Sequence, residues 1–148
     1  EAMKMKVVYI AGPFRASDAW GVHGNVHRAE CAAREVARLG AMPLPPHSIG
    51  AHMDGTESAQ FWLAGTLELM RRCDAVLVLP GYSFSEDTKG AIAEADRLGL
   101  PVMFPHDFTT DTNRNYGDDR FYDRVGHSLE RLSDWLEAER AKDATNAS

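Results

Sequence analysis

Apolar residues in this chain gather in short runs, separated by longer stretches in which they recur at helical spacing. The short runs predict four β-strands, at residues 6–11, 41–44, 75–79 and 100–104. Gly12-Pro13, Pro45-Pro46 and Pro80-Gly81 end the first three runs. Strands that alternate with helices in this way predict an α/β fold with a parallel sheet and right-handed crossovers.

The longer stretches predict helices at residues 25–39, 58–72 and 89–98, and a long helix that begins at Asp118. Loops are predicted up to Gly24 and between His47 and Glu57. The inward-facing positions are those that share one helix face: Val26, Ala29, Ala33, Val36 and Leu39, then Phe61, Leu63, Leu67 and Met70, then Phe121, Val125, Leu129, Leu132, Trp135 and Leu136. We predict one domain over residues 1–148, with a disordered tail at about 142–148.

Composition and charge narrow the range of partners. The chain has 148 residues, of which 44% are hydrophobic and 26% charged, as is ordinary for a soluble globular domain. Its net charge of −6 argues against a nucleic-acid polymer as partner but leaves room for a small phosphorylated ligand. No apolar run approaches the roughly 20 residues of a membrane span. Cys31 and Cys73 lack metal-type spacing, so we expect a reduced, cytoplasmic protein without membrane contact.

Several common kinds of site are absent from the sequence. His23 and His27 are four positions apart and could share a helix face, as metal ligands do, but no third ligand is placed with them. A solvated helix start is therefore favoured, and neither a metal nor a cofactor is expected. The chain also lacks the glycine-rich loops of nucleoside-triphosphate hydrolases and dinucleotide-dependent oxidoreductases. The Gly-x-Ser-x-Gly elbow of hydrolases is missing as well.

Candidate chemistry follows the predicted strand at 75–79, because open α/β sheets bind ligands at the carboxyl ends of their strands. A polar loop leads to a helix start near Thr88, whose backbone N–H groups can hold an anion. Further along this helix, Glu94 can attack or stabilise a cationic carbon, and a solvated surface glutamate is the equally supported alternative. His47, after the second predicted strand, either reaches a ligand or lies in a loop.

Two segments resemble motifs of the nucleoside 2-deoxyribosyltransferase superfamily, in particular its nucleotide N-glycosidase branch and related uncharacterised phage and bacterial proteins. The first is Tyr-Ile-Ala-Gly-Pro-Phe-Arg-Ala at 9–16, which is similar to the family's Tyr-x-x-Gly-x-Ile/Phe-Arg-Gly/Ala. The second is Thr-Lys-Gly-Ala-Ile-Ala-Glu at 88–94, which is similar to Ser-x-Gly-x-x-x-Glu. The resemblance covers residues 6–106. It implies a flavodoxin-like three-layer sandwich, with a parallel sheet of four or five strands and helices on both faces.

The resemblance also implies cleavage of an N-glycosidic bond, with Glu94 as nucleophile and Tyr9 orienting it. Thr88 and the N–H groups near Lys89 and Gly90 would hold a 5′-phosphate. The remaining substrate-binding candidates are Gly12, Phe14, Arg15 and His47. The physical logic agrees, since loss of a base builds oxocarbenium character that a carboxylate stabilises or captures.

The chain departs from the family pattern in the group that would protonate the leaving base. Thr66 stands where the family usually carries an Asp, so we predict that Asp87 takes this role, with Glu86 and Asp18 as alternatives. The function predicted is hydrolysis of a nucleoside 5′-monophosphate to free base and (deoxy)ribose 5-phosphate. The alternatives are a deoxyribosyltransferase, a NAD-cleaving glycohydrolase and a non-catalytic nucleotide-binding module. A homodimer or larger homo-oligomer is expected, with Trp62 or its neighbours at the contact.

Overall fold

The computed structural model describes residues 4–53, 55–106 and 118–147. In this part of the chain four strands form one parallel sheet: β1 (Val7–Ala11), β2 (Met42–Leu44), β3 (Ala75–Val78) and β4 (Val102–Met103). They are ordered β2-β1-β3-β4, and Tyr9 in β1 is paired with Leu44 and Val76. This is the strand order of the flavodoxin-like sheet, so the predicted fold class is confirmed.

Helices cover both faces of the sheet. They are α1 (Ala19–Arg38), α2 (Pro46–Gly50), α3 (Ala59–Arg71), α4 (Glu86–Arg97) and α5 (Asp118–Ala147), with a 3₁₀ turn at Tyr82–Phe84. On one face Val8, Ile10 and Leu77 are buried under α1 and α5. On the other, Tyr9 and Val76 are buried under α3 and α4. The result is three layers, as expected for a parallel sheet whose strands are apolar on both sides.

The long helix α5 closes the first of these faces. Its apolar stripe packs on the sheet of its own chain, with Phe121, Val125, Leu132 and Leu136 buried and with Leu129 and Trp135 partly buried. Near its end Arg140 donates a hydrogen bond to the carbonyl of Leu39 at the C-cap of α1, at 2.6 Å. The helix continues to Ala147, so residues 142–147 are helical where the sequence predicts a disordered tail.

Two helix starts differ from the prediction by several residues, and a side-chain cap explains each of them. Helix α1 begins at Ala19 rather than residue 25, because the Asp18 carboxylate accepts the N–H of Gly21 at 2.8 Å. Helix α4 begins at Glu86 rather than residue 89, because Ser85 accepts the N–H of Thr88. The short helix α2 lies where the loop from His47 was predicted. Strand β4 covers only part of the predicted run at 100–104.

The inward face of α3 is partly wrong in the prediction. Met70 is fully buried and Leu67 is partly buried, but Phe61 and Leu63 are 54% and 38% exposed. Burial in α3 is therefore concentrated near its C-terminal end, where Met70 lies, and the apolar side chains near its start are exposed. No helix in the described residues is both long and apolar enough to cross a membrane.

Candidate active site

The exits of β1 and β3 lie in direct contact at the carboxyl edge of the sheet. A Cβ atom placed on Gly12 would lie 2.6 Å from Cδ1 and 2.8 Å from Cβ of Leu79, so only glycine allows this approach. Gly12 is therefore a packing position here. The chain after it carries two further candidate residues, Phe14 and Arg15. The side-chain amide of Asn25 donates a 3.0 Å hydrogen bond to the Phe14 carbonyl and fixes this segment.

His47 is buried under the exit of β1. Its Nε2 lies 2.9 Å from the carbonyl oxygen of Gly12 and 3.2 Å from that of Pro13, so Nε2 carries the proton and donates to them. Nδ1 is buried and has no hydrogen-bond partner within the described residues. Burial lowers the pKa of His47, although the hydrogen bonds to Gly12 and Pro13 oppose that shift. The structure thus places a neutral imidazole behind the turn, with the Phe14 ring edge-on to it.

Arg15 and Asp87 meet across the open edge of the sheet. Arg15 Nε lies 3.4 Å from Asp87 Oδ2, which joins the exit of β1 to the first turn of α4. Both side chains are at least half exposed, so Arg15 is free to turn toward an incoming anion. Beside them Lys89 is paired with Glu86 at 2.8 Å. Asp18, one of the alternative acids, is engaged as the N-cap of α1.

Thr88 lies inside the start of α4 and is only 3% exposed. Its hydroxyl donates to Ser85 Oγ at 2.8 Å, and its backbone N–H donates to the same oxygen at 3.2 Å. The predicted phosphate contact therefore has its hydroxyl already engaged, and Ser85 is the residue that organises the helix start. A serine three residues before Thr88 is a recognisable N-cap signal, which the sequence analysis passed over. The adjacent Lys89 and Gly90 are exposed.

Glu94 lies on α4, two helical turns beyond the start of the helix, and contacts two arginines. Arg97 Nε is 3.0 Å from its Oε2, and Arg97 Nη2 is 2.5 Å from its Oε1. Arg71 reaches Oε1 from α3, with Nε and Nη2 each at 3.4 Å. The hydrogen bonds from Arg97 lower the pKa of Glu94; the charges of both arginines reinforce the shift and desolvation opposes it. The carboxylate is ionised at neutral pH, and its side chain is 18% exposed.

Tyr9 is buried on the same face of the sheet as α3 and α4. Burial raises the pKa of its hydroxyl to about 12, so it is neutral across the physiological range. The hydroxyl is hydrogen-bonded to Thr66 on α3 rather than to Glu94, and Thr66 in turn donates to the Leu63 carbonyl at 3.0 Å. Tyr9 and Glu94 therefore share a face of the sheet without a direct hydrogen bond between them.

The candidate residues thus form two groups. Those gathered at the carboxyl edge are Gly12, Phe14, Arg15, His47 and Asp87, and those on the α3–α4 side of the sheet are Tyr9, Thr66, Arg71 and Glu94. Thr88 lies between the groups, about 9 Å from Glu94 along the helix axis. Arg71 is absent from the sequence-based set, since nothing local in the sequence marks its contact with Glu94. The described residues contain no group of three or more His, Cys, Asp or Glu side chains that could hold a metal ion.

Three comparisons place the chain among known proteins. None of the curated proteins matches it in sequence. Among solved structures it is similar to a 2-deoxyribosyltransferase from the psychrotolerant bacterium Bacillus psychrosaccharolyticus, a biocatalyst for nucleoside synthesis. The two are 20% identical, with a TM-score of 0.46 over 66% of this chain and 69% of the other. The family described as a domain of unknown function, DUF7768, matches residues 6–105, which contain all four strands of the sheet. The chain therefore belongs to the DUF7768 family.

Proposed function

We propose that the protein hydrolyses the N-glycosidic bond of a nucleoside 5′-monophosphate, with Glu94 as the nucleophile. The observation that carries the proposal is an ionised, partly accessible carboxylate on the α3–α4 face, held by Arg71 and Arg97. An ionised carboxylate stabilises a carbon atom that becomes cationic during the reaction. The resemblance of segments 9–16 and 88–94 to N-glycosidase motifs supports the same class of reaction.

The proposed reaction has two steps. As the bond between C1′ and the base nitrogen breaks, its electron pair leaves with the base and C1′ gains oxocarbenium character. Glu94 captures C1′ as an ester, and the departing nitrogen takes a proton from Asp87, which lies on the same helix face as Glu94 and about 10 Å from it along the axis. Water then adds at C1′, the bond from C1′ to the Glu94 oxygen breaks to release the carboxylate, and the proton of the water returns to Asp87. Tyr9 stays neutral and orients the site through Thr66.

The phosphate end of the substrate is assigned to Arg15. This guanidinium is 65% exposed, and a phosphate can replace Asp87 as its partner, since arginine binds phosphate through several parallel hydrogen bonds. The start of α4 adds the partial positive charge of a helix N-terminus, with Ser85 and Thr88 shaping its first turn. Replacing Arg15 with Ala should therefore reduce the preference for monophosphates over nucleosides more than it reduces base release itself.

The decisive experiment measures free base released from a panel of nucleoside monophosphates, separated by chromatography. Glu94→Gln should lower turnover by several orders of magnitude, because an amide is a far poorer nucleophile than a carboxylate. Glu35→Gln is the matched control, since Glu35 on α1 is likewise paired with two arginines, Arg34 and Arg38, and is not proposed to touch substrate. A folded Glu94→Gln protein that releases base at the wild-type rate would contradict the proposal.

Two other functions remain as second candidates. A non-catalytic nucleotide-binding module is favoured by Thr66, which stands in place of a carboxylate, and by the pairing of Glu94 with two arginines. Binding of monophosphates by the wild type without any base release would establish it. A deoxyribosyltransferase would act equally on nucleosides and monophosphates, and would form a new nucleoside when a second free base is added.

A further inference from the structure

The two oxygens of the Glu94 carboxylate have different surroundings. Among the described residues, Oε1 faces three guanidinium nitrogens, two from Arg71 and one from Arg97, whereas Oε2 faces only Arg97 Nε at 3.0 Å. A carboxylate oxygen offers about two lone-pair directions. Oε1 is therefore saturated by its donors, and Oε2 keeps a lone pair for another contact.

The two arginines hold Glu94 in different ways. Arg97 lies one turn further along α4 and moves together with Glu94. Arg71 comes from α3, the helix that also carries Thr66, the partner of Tyr9. It is anchored there by Glu68, whose Oε2 lies 3.2 Å from Arg71 Nη1. In the described part of the chain, Arg71 alone fixes the Glu94 carboxylate relative to α3 and β1, which carry Thr66 and Tyr9.

We propose that Arg71 is a positioning residue for Glu94: it immobilises Oε1 from α3 and leaves Oε2 as the oxygen that attacks C1′. This role rests on the proposed function. The charged groups that face Glu94 in the described residues are Arg71 from α3 and Arg97 from its own helix, with Glu68 behind Arg71. Loss of Arg71 takes away two hydrogen-bond donors and one positive charge that face the Glu94 carboxylate. The two hydrogen bonds from Arg97 remain.

The chain supplies a matched control in the neighbouring arginine. Arg72 follows Arg71 directly, is 75% exposed, and in the described residues forms its ion pair with Glu68 at 3.7 Å. Replacing either arginine with Gln removes one positive charge from the end of α3. Only Arg71→Gln removes a contact with Glu94. General effects of charge or helix stability should therefore appear in both variants. The positioning effect should appear in Arg71→Gln alone.

The test measures wild type, Arg71→Gln, Arg71→Lys and Arg72→Gln by two methods. The first is titration of the Glu94 carboxyl by ¹³C NMR, with Glu94→Gln to assign the signal. The second is the pH profile of base release. Arg71→Gln should raise the pKa of Glu94, move the acid limb of the profile to higher pH, and lower kcat about tenfold to a hundredfold with little change in KM. Arg71→Lys should restore part of both effects, and Arg72→Gln should match wild type.

Equal Glu94 titration in wild type and Arg71→Gln would overturn the proposal, as would equal effects of Arg71→Gln and Arg72→Gln on the pH profile. If the Gln variant fails to fold, Arg71→Lys decides through the same two measurements. Failure of the proposed function is distinguishable, because it would appear as absence of base release from the wild type, with the Glu94 titration unaffected.

Discussion

At the scale of single residues, the buried ring of His47 joins the segment that follows β2 to the segment that follows β1. Its Nε2–H donates to the carbonyls of Gly12 and Pro13 while the buried Nδ1 has no partner in the described part of the chain. Both facts favour the neutral ring, because a charged imidazole at this depth would lose its hydration. His47, which the sequence predicts as a substrate contact, thus holds the turn that precedes Phe14 and Arg15.

The lowered pKa of His47 predicts a dependence of stability on pH. The unfolded chain takes up a proton near pH 6.5, whereas the folded protein takes it up only at lower pH. Unfolding therefore becomes easier as pH falls below about 6.5, and this loss continues down to the folded pKa. His47→Gln, whose amide keeps a donor near the position of Nε2, should flatten the dependence. Urea unfolding between about pH 8 and about pH 5 measures it.

The exposed His52 provides the control for that measurement. His52→Gln should follow the wild-type curve, since the exposed His52 side chain forms no buried contact that folding would change. An unchanged slope in His47→Gln would show that the ring is protonated as readily in the folded protein as in the unfolded chain.

Between elements, the contact of Gly12 with Leu79 sets how closely the exits of β1 and β3 approach. Gly12→Ala should lower the free energy of unfolding by about 1–3 kcal/mol, because the new methyl group meets the buried Leu79 side chain near its Cβ. Gly90→Ala is the contrasting variant: Gly90 is exposed in α4 with nothing near its Cβ position, and Ala should add about 0.5–1 kcal/mol. Thermal unfolding of both variants tests the pair. A Gly12→Ala protein as stable as wild type would mean that the two exits separate easily.

The helix boundaries show how far local sequence determines the elements. The strands and the stripe of α5 were predictable because apolar periodicity marks them directly. The start of α1 was not, since Gly21 and Gly24 are weak helix formers and the exposed Trp20 breaks the amphipathic pattern. The Asp18 N-cap sets the first residue of this helix. The same cap chemistry at Ser58, which accepts the N–H of Phe61, fits the predicted start of α3.

The candidate functional residues could be identified from the sequence only where they belong to a recognisable motif. Glu94, Tyr9 and Arg15 stand out in the sequence because their segments resemble known motifs. The contacts of the candidate residues do not stand out, because they join distant parts of the chain: 23 positions separate Arg71 from Glu94, and 35 separate Gly12 from His47. Packing of elements brings such pairs together, and no local pattern records it.

At the scale of the whole molecule, the first turns of α3 carry large apolar side chains that are exposed in the described part of the chain. We predict a homodimer through this region, with Trp62 or its neighbours Phe61 and Leu63 at the contact. Light scattering at micromolar concentration should give about twice the 16.4 kDa of the chain. Phe61→Ser with Leu63→Ser should give single chains, and Leu98→Ser, at an exposed leucine on another helix, should not. A wild-type particle of 16.4 kDa would contradict the prediction.

The hydrogen bond from Arg140 to Leu39 bears on how the protein is made. Its two residues are 101 positions apart, so the carbonyl at the end of α1 has no partner from α5 until residue 140 has left the ribosome. Until then the sheet face that contains Val8, Ile10 and Leu77 also lacks the cover of α5. Between the synthesis of β3 and that of α5, the nascent chain therefore carries an apolar face that is covered only by α1. Folding of this face is completed by α5 rather than by the strands.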